Sequence, residues 1–284
     1  LLPHAFANLS EDFHTRQNWE GFDNPFVVIE NSDLKNELGI NSLGDQQLLN
    51  IFNGTEKIES LKPLSMVYSG HQFGQYVEQL GDGRGLLLGQ MSSNSGLIDI
   101  HLKGAGKTPY SRFGDGRAVL RSVIREYLCG EAMHALSIPT SRALMIIGSD
   151  EMVIREKSES AAMLARTART HIRFGSFEYF HYNNQPENVK ALADFCIDQY
   201  PAYFSSTPAA YEDFFRVIVG RTASMIAQWQ ACGFNHGVMN TDNMSILGET
   251  FDYGPYGFME DYLPSYVCNH SDHQGRYAFK NQPY

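Results

Sequence analysis

The segment from Ala209 to Cys232 carries apolar side chains at helical spacing and runs into Gly233. Directly behind it comes His236-Gly237-Val238-Met239-Asn240-Thr241-Asp242-Asn243, and then Asp252-Tyr253-Gly254. Two carboxylates and an amide thus fall within eleven residues, beside the apolar stretch Met244 to Leu247, which reads as a short buried strand. Acidic groups set against a core have to be paired, hydrogen-bonded or matched by a cation. The chain must therefore build a frame that holds these groups at fixed positions. In the preceding helix, Phe214, Phe215, Ile218, Val219, Thr222, Met225, Ile226 and Trp229 form the expected inner side, with Gly233 as the stop.

The spacing narrows the choice of frame. Asn243 lies seven residues after His236, the offset of the protein-kinase catalytic loop H-R-D-x-x-x-x-N. Asp252-Tyr253-Gly254 stands where a kinase has D-F-G. Two residues after the His, where a kinase keeps its catalytic Asp, this chain has Val238. The metal-ligand types are present and the usual base is absent.

The first half supplies further pieces. Pro25 to Ile29 reads as a strand, Asp33 to Leu38 and Gln46 to Phe52 as short helices stopped by Gly39 and by Asn53-Gly54. Gln79-Leu80-Gly81-Asp82-Gly83-Arg84-Gly85 precedes the apolar run Leu86 to Leu88. The alternating Leu97 to Leu102 then ends in Lys103. A Gly-rich turn with a Lys on the later strand matches a phosphate-covering loop and its lysine, although Gly81 to Gly85 alone also suits a tight hairpin turn. Gly104 to Gly116 is a second loop rich in Gly and charge. It lacks P-loop spacing, yet its backbone amides suit an anion nest. A helix is expected from Arg117 to Leu136, with Val119, Leu120, Val123, Ile124, Tyr127 and Leu128 on its apolar face. Glu126 sits beside that face, within reach of Lys103 or else in solvent. Arg142 to Ile147 and Met152 to Ile154 read as a hairpin around Gly148 to Glu151, followed by a strand from Ala161 to Arg166. The basic segment Arg166 to Arg173 is either a solvated turn or an arginine clamp for phosphates. Glu187 to Phe204 is the other long helical segment of the second half.

Bulk properties exclude several classes. With 284 residues, 43% hydrophobic and 19% charged, the chain has a globular composition and is long enough for one large domain or two lobes. Its net charge of −10 argues against nucleic acid as a partner, since that contact relies on neutralising phosphates. No apolar run reaches membrane-span length, and four scattered cysteines without a C-x-x-C pair suggest reduced thiols. Cys268, His270 and His273 are ligand types with no fourth partner at structural-zinc spacing.

Taken together, these motifs resemble the selenoprotein O / YdiU family of pseudokinase-fold protein adenylyltransferases. The resemblance spans almost the whole chain. It is carried by Tyr68 to Gln75, Gln79 to Gly85, His101 to Arg112, Gly114 to Arg117, His171 to Gly175, His236 to Leu247 and Asp252 to Pro255. It implies an α+β, protein kinase-like two-lobe fold. A mixed β-sheet N-lobe would cover residues 1–160, and a mostly helical C-lobe residues 161–284, incomplete at Tyr284. It implies ATP bound in an inverted pose, contacted by Gly81, Gly83 and Arg84 and, from the opposite side, by Asp115 and Gly116. Lys103, oriented by Glu126, would hold a phosphate, and Arg166 and Arg173 would clamp phosphates. Asn243 and Asp252 would hold Mg²⁺, with Mn²⁺ as an alternative ion, and Asp252 would also meet the nucleotide. Asp242 would serve as general base toward Ser, Thr or Tyr hydroxyls of protein substrates.

The implied reaction is transfer of AMP with release of pyrophosphate. A kinase transferring the γ-phosphoryl group and a non-catalytic nucleotide-binding scaffold are the competing readings. A monomer is expected, with no nucleic-acid or membrane partner, in the cytoplasm of a bacterium or the mitochondrion of a eukaryote. The chain departs from the family pattern at Thr167-Ala168-Arg169-Thr170, which brings a third Arg into the clamp region, and in lacking the C-terminal cysteine or selenocysteine motif.

Overall fold

The computed structural model describes residues 1–93, 96–205 and 207–284. In chain order the elements begin with β1 (His14–Arg16), β2 (Phe26–Glu30), α1 (Ser32–Glu37), α2 (Asp45–Asn53) and β3 (Leu64–Met66). Next come β4 (Gly70–Gln72), β5 (Gln75–Val77), β6 (Gly85–Ser93), β7 (Gly96–Lys103), β8 (Ala118–Val119) and α3 (Leu120–Ala135). Then follow β9 (Arg142–Ile154), β10 (Ser158–Ala168), α4 (Phe174–Tyr182), α5 (Pro186–Gln199), α6 (Ala210–Cys232), β11 (Phe234–Asn235) and β12 (Gly257–Phe258). Two compact units result. The first comprises Leu1–Val67, Leu80–His134 and Ser141–His171; the second comprises Tyr68–Gln79, Ala135–Thr140 and Ile172–Tyr284. Strand β10 spans residue 160, where the lobe boundary was expected, because it pairs with both β7 and β9 in the first unit. Among the described residues, no helix is long and apolar enough to cross a membrane.

The first unit is a mixed α/β arrangement around an eight-stranded antiparallel sheet, ordered β1-β3-β6-β7-β10-β9-β2 with β8 beside β10. Period-two alternation splits β10 between two cores. Ala161, Met163 and Ala165 join Leu34, Leu48 and Phe52 of the α1–α2 side. Ala162 and Leu164 join Val123 of α3. Both faces are covered, so β10 reads as an apolar run.

Several expectations change here. β9 is one strand of 13 residues where a hairpin around Gly148 to Glu151 was expected. Gly148 stays extended because it pairs with Phe26 on one side and Ala162 on the other. Its missing side chain leaves room for the Phe26 ring, which a Cβ would approach to 2.6 Å. The Gly81–Gly85 stretch does not close a tight hairpin; β3 and β6, which pair at Leu64 and Leu87, are separated in sequence by the β4–β5 hairpin as well. The helix expected from Arg117 begins only at Leu120, since Ala118 and Val119 are taken up by β8. Its buried face is Val123, Glu126, Cys129, Gly130 and Met133, whereas Ile124 and Leu128 are 37% and 60% exposed.

A buried polar chain runs along the face of β7 that carries Asp99, His101 and Lys103. Asp99 accepts from Gln90 Nε2 (3.0 Å) and from the His171 backbone N–H (3.0 Å), and its carboxylate also meets His4 Nε2 (2.6 Å) and His171 Nδ1 (3.3 Å). The His171 ring stacks on His101 at 4.6 Å, and His101 Nε2 lies 3.5 Å from Asp82 of the Gly-rich turn. Burial pushes the His171 pKa down to about 3, against the opposing pull of Asp99. The unfolded chain therefore binds a proton at this residue below about pH 6.5 that the folded chain refuses until about pH 3. Stability is expected to fall as pH drops through that window, by up to about 1.4 kcal/mol per pH unit from this group. Urea unfolding between pH 7 and 4 measures it, and His171→Asn should flatten the slope.

In the second unit, α5 ends at Gln199, short of the expected Phe204. Tyr200 precedes Pro201 and leaves the helical region at φ −119°, ψ 57°, as a residue before proline tends to do. Helix α4, not anticipated from the sequence, fills the stretch after Arg173. Helix α6 ends in Gly233 at φ +71°, the left-handed stop. It buries Phe214, Met225 and Trp229, while Phe215 and Val219 are exposed. Met244 to Leu247 is not a strand: it makes single bridges through Met244 and Ser245 and then turns, although Ile246 and Leu247 are fully buried.

Candidate functional site

In the first unit the sheet itself assembles a charge cluster. Lys103 pairs with Leu164 across β7 and β10, and Arg166 pairs with His101, so both cations stand on the face shared with Leu164 and α3. Helix α3 answers with Glu126. Its Oε2 accepts from Lys103 Nζ at 2.5 Å and its Oε1 from Arg166 Nη1 at 2.8 Å. Glu126 is 4% exposed and Arg166 3%, so neither solvated alternative holds. One carboxylate thus draws a lysine and an arginine together on this face. Lys and Arg are the side chains that recognise phosphate oxygens.

The Gly-rich turn is shaped by the loop that follows β7. Gly81 has φ +68° and lies against the Tyr110 ring, and a Cβ on Gly83 would sit 2.8 Å from the Tyr110 carbonyl. Thr108 Oγ1 donates to the Asp82 carbonyl at 2.8 Å and Ser111 Oγ to the Gly83 carbonyl at 2.5 Å. Arg84 points into solvent. Asp115 is bound by Arg155 at 2.7 and 2.9 Å and accepts the Arg117 backbone N–H at 2.9 Å. The Arg155 guanidinium, foremost among these, holds its carboxyl down at about 2. Gly116, at φ +74°, abuts the Gly106 backbone so closely that a side chain has no room there.

The second unit holds the acidic set. His236 stacks on Trp229 at 5.4 Å and faces the Phe251 carbonyl through Nε2 at 3.3 Å, which ties the two ends of the segment together. Arg173, 2% exposed, lies between the Tyr68 and Phe251 rings at 4.2 and 4.8 Å. Its Nη1 donates to the Asp242 carbonyl at 2.7 Å and to Asp252 Oδ2 at 2.9 Å. One buried guanidinium thereby joins Asp242 to Asp252. Asp252 adopts φ +60°, a conformation that costs energy in a non-glycine residue and is often found at working sites. Among the described residues, Asp242 Oδ1 and Asn243 Oδ1 are buried acceptors with no hydrogen-bond donor. Burial raises the Asp242 pKa, opposed by Gln72 and Arg173.

The Asn243 side-chain oxygen and the Asp252 carboxylate are oxygen donors of the kind hard divalent cations take, and Asp242 Oδ1 is a second buried acceptor on the same turn. The expected residues are thus brought together in two groups: Lys103, Glu126 and Arg166 in one unit, and Asp242, Asn243, Asp252 and Arg173 in the other. The sequence reading missed the residues that surround Asp242. Gln72, His71, Glu178, Asn240 and Tyr277 all bear on its turn; the long motifs Tyr68 to Gln75 and His236 to Leu247 hinted at a role for His71, Gln72 and Asn240, and nothing did so for Glu178 and Tyr277.

An antiparallel sheet carrying a shared Lys–Glu–Arg cluster, and a helical unit carrying an acidic set without a kinase-type base, define the class of protein. The chain belongs to the family described as Protein adenylyltransferase SelO, whose profile matches residues 2–284. It is 55% identical over 281 residues to the Protein nucleotidyltransferase YdiU of Vibrio parahaemolyticus, covering 99% of this chain and 58% of that protein. Similar proteins of the same description occur in Vibrio vulnificus (55% over 280 residues; 98% and 57%) and in an Enterobacter strain (53% over 274 residues; 95% and 57%). The chain spans somewhat over half the length of these curated relatives.

Proposed function

We propose that this chain carries the catalytic part of a protein adenylyltransferase, transferring AMP from ATP to Ser, Thr or Tyr hydroxyls of proteins. The observation that carries the proposal is the pair of unpartnered buried oxygens on Asp242 and Asn243 beside an Asp252 held by Arg173. The kinase-like two-lobe fold belongs to the same proposal. It is supported by the Lys103–Glu126 pair between sheet and helix and by the helical second unit.

In this reading Gly81, Gly83 and Arg84 meet the nucleotide from the Gly-rich turn, and Asp115 and Gly116 from the second loop. Lys103, kept in place by Glu126, and the arginines Arg166 and Arg173 bring positive charge to the phosphates. Arg173 also fixes the Asp252 carboxylate. Asn243 and Asp252 would hold Mg²⁺ or Mn²⁺, which would supply charge neutralisation at the phosphates. Asp242 accepts the acceptor hydroxyl's proton at Oδ1. As the new oxygen–phosphorus bond forms at the α-phosphorus, the bond to pyrophosphate breaks and pyrophosphate leaves. Burial favours the neutral carboxyl and so makes Asp242 a better proton acceptor than an exposed aspartate. The chain is taken to act as a monomer.

The test is incubation with ATP labelled at the α- or the γ-phosphate, followed by denaturing electrophoresis. Protein-bound label is expected from the α position alone. Label from the γ position alone would make the protein a kinase.

A further inference from the structure

The hairpin β4–β5 is wired to the turn that carries Asp242. The His71 backbone N–H donates to Thr241 Oγ1 at 2.9 Å, Thr241 Oγ1 donates to Glu178 Oε2 at 2.5 Å, and His71 Nδ1 lies 2.9 Å from Glu178 Oε1. At the hairpin tip, the Phe73 backbone N–H donates to the Tyr277 hydroxyl at 2.7 Å, and that hydroxyl in turn donates to Asn240 Oδ1. These contacts grip the turn on both sides of Asp242. From another side chain the carboxylate itself is gripped by Gln72, whose Nε2 donates to Asp242 Oδ2 at 3.1 Å. The other oxygen, Oδ1, has no donor among the described residues and faces Gly70, where any Cβ would collide with it.

We infer that Gln72 is a positioning residue for the general base: it holds Asp242 Oδ2 so that Oδ1, kept clear by glycine at position 70, is the oxygen presented to the acceptor hydroxyl. The inference rests on the proposal that Asp242 is the base. A carboxylate on two free torsions has several orientations, and one fixed hydrogen bond to one oxygen selects among them. An amide suits this task because it donates without bringing a charge that would compete for the proton. The role differs from that of Arg173, which donates to the Asp242 backbone carbonyl.

The test compares Gln72→Met, which keeps length and loses the donor, with Gln72→Lys, which restores a donor. Asp242→Asn serves as the control for the base itself. For Gln72→Met, kcat for AMP transfer is expected to fall about 10- to 100-fold. The KM for ATP and the rise in Tm produced by ATP should stay at parent values, and Gln72→Lys should recover part of kcat. A crystal structure of Gln72→Met should show the Asp242 carboxylate turned from its parent rotamer. If Asp242→Asn abolishes transfer while Gln72→Met keeps the parent kcat and rotamer, the positioning role is wrong and the base assignment stands. If Asp242→Asn transfers like the parent, both fall. Loss of the ATP-induced Tm shift in Gln72→Met would place Gln72 in nucleotide binding or folding instead, and would overturn the inference. Should Gln72→Met not fold, Gln72→Asn, whose amide is too short to reach Oδ2, replaces it with the same expectations.

Discussion

Asp252→Ala is expected to abolish AMP transfer, by about 10³-fold or more, and to destabilise the second unit at the same time. Two physical effects coincide at this residue. As a proposed metal ligand, its carboxylate contributes several kcal/mol of charge stabilisation in the reaction, and about 4 kcal/mol corresponds to about 10³ in rate. As the partner of Arg173, it neutralises a guanidinium that is almost wholly buried between Tyr68 and Phe251. Breaking a buried pair by removing one partner typically costs about 3–5 kcal/mol, because the other charge stays behind without compensation. The left-handed backbone at Asp252 adds to this cost, since alanine tolerates that conformation less well than aspartate does. Initial rates with α-labelled ATP measure the first effect and urea unfolding the second. Asp252→Asn separates them: it keeps an oxygen for Arg173 but loses the anionic ligand, so the rate should fall much as in the alanine variant and the stability considerably less.

Glu126→Ala should produce the largest loss in the first unit. This carboxylate is the shared partner of Lys103 and Arg166, and all three side chains lie at or near full burial. Without it, two cations on neighbouring strands repel each other in a medium that screens them poorly. Destabilisation of about 3–5 kcal/mol is expected, with ATP binding weakened because Lys103 loses the group that orients it. Glu126→Gln keeps the shape of the side chain and both acceptor-capable contacts through its oxygen only in part, so it should lie between parent and alanine. Chemical denaturation with and without ATP checks both statements. A parent-like midpoint for Glu126→Ala would show that the cluster contributes nothing to the fold.

Much of the candidate site was legible before any coordinates. Lys103 at the end of an alternating strand, the offset of Asn243 from His236, and Asp252 before Gly254 are local patterns. Backbone periodicity carries such signals over a few residues. The long motifs added family membership, which short triplets cannot. The failures have equally local causes. Gly148 suggested a turn because glycine usually marks one, yet two neighbouring strands hold it extended. Phe204 suggested a longer helix because apolar spacing continues past Pro201, where the backbone cannot. Ile124 and Leu128 suggested a wider apolar face on α3 than the sheet actually covers.

The sequence by itself determined which chemical groups are available and roughly which element bears each: a lysine on a strand, a glutamate on a helix, and two carboxylates and an amide after a helix stop. Only the tertiary structure decided what those groups do to one another. Glu126 became a shared anion because β7 and β10 run side by side with Lys103 and Arg166 on one face. Arg173 became the tie between Asp242 and Asp252, and Gln72, some 170 residues from Asp242 along the chain, became its hydrogen-bond partner. Hydrogen bonds and ion pairs depend on distance in space, and over such separations distance in sequence carries almost no record of it.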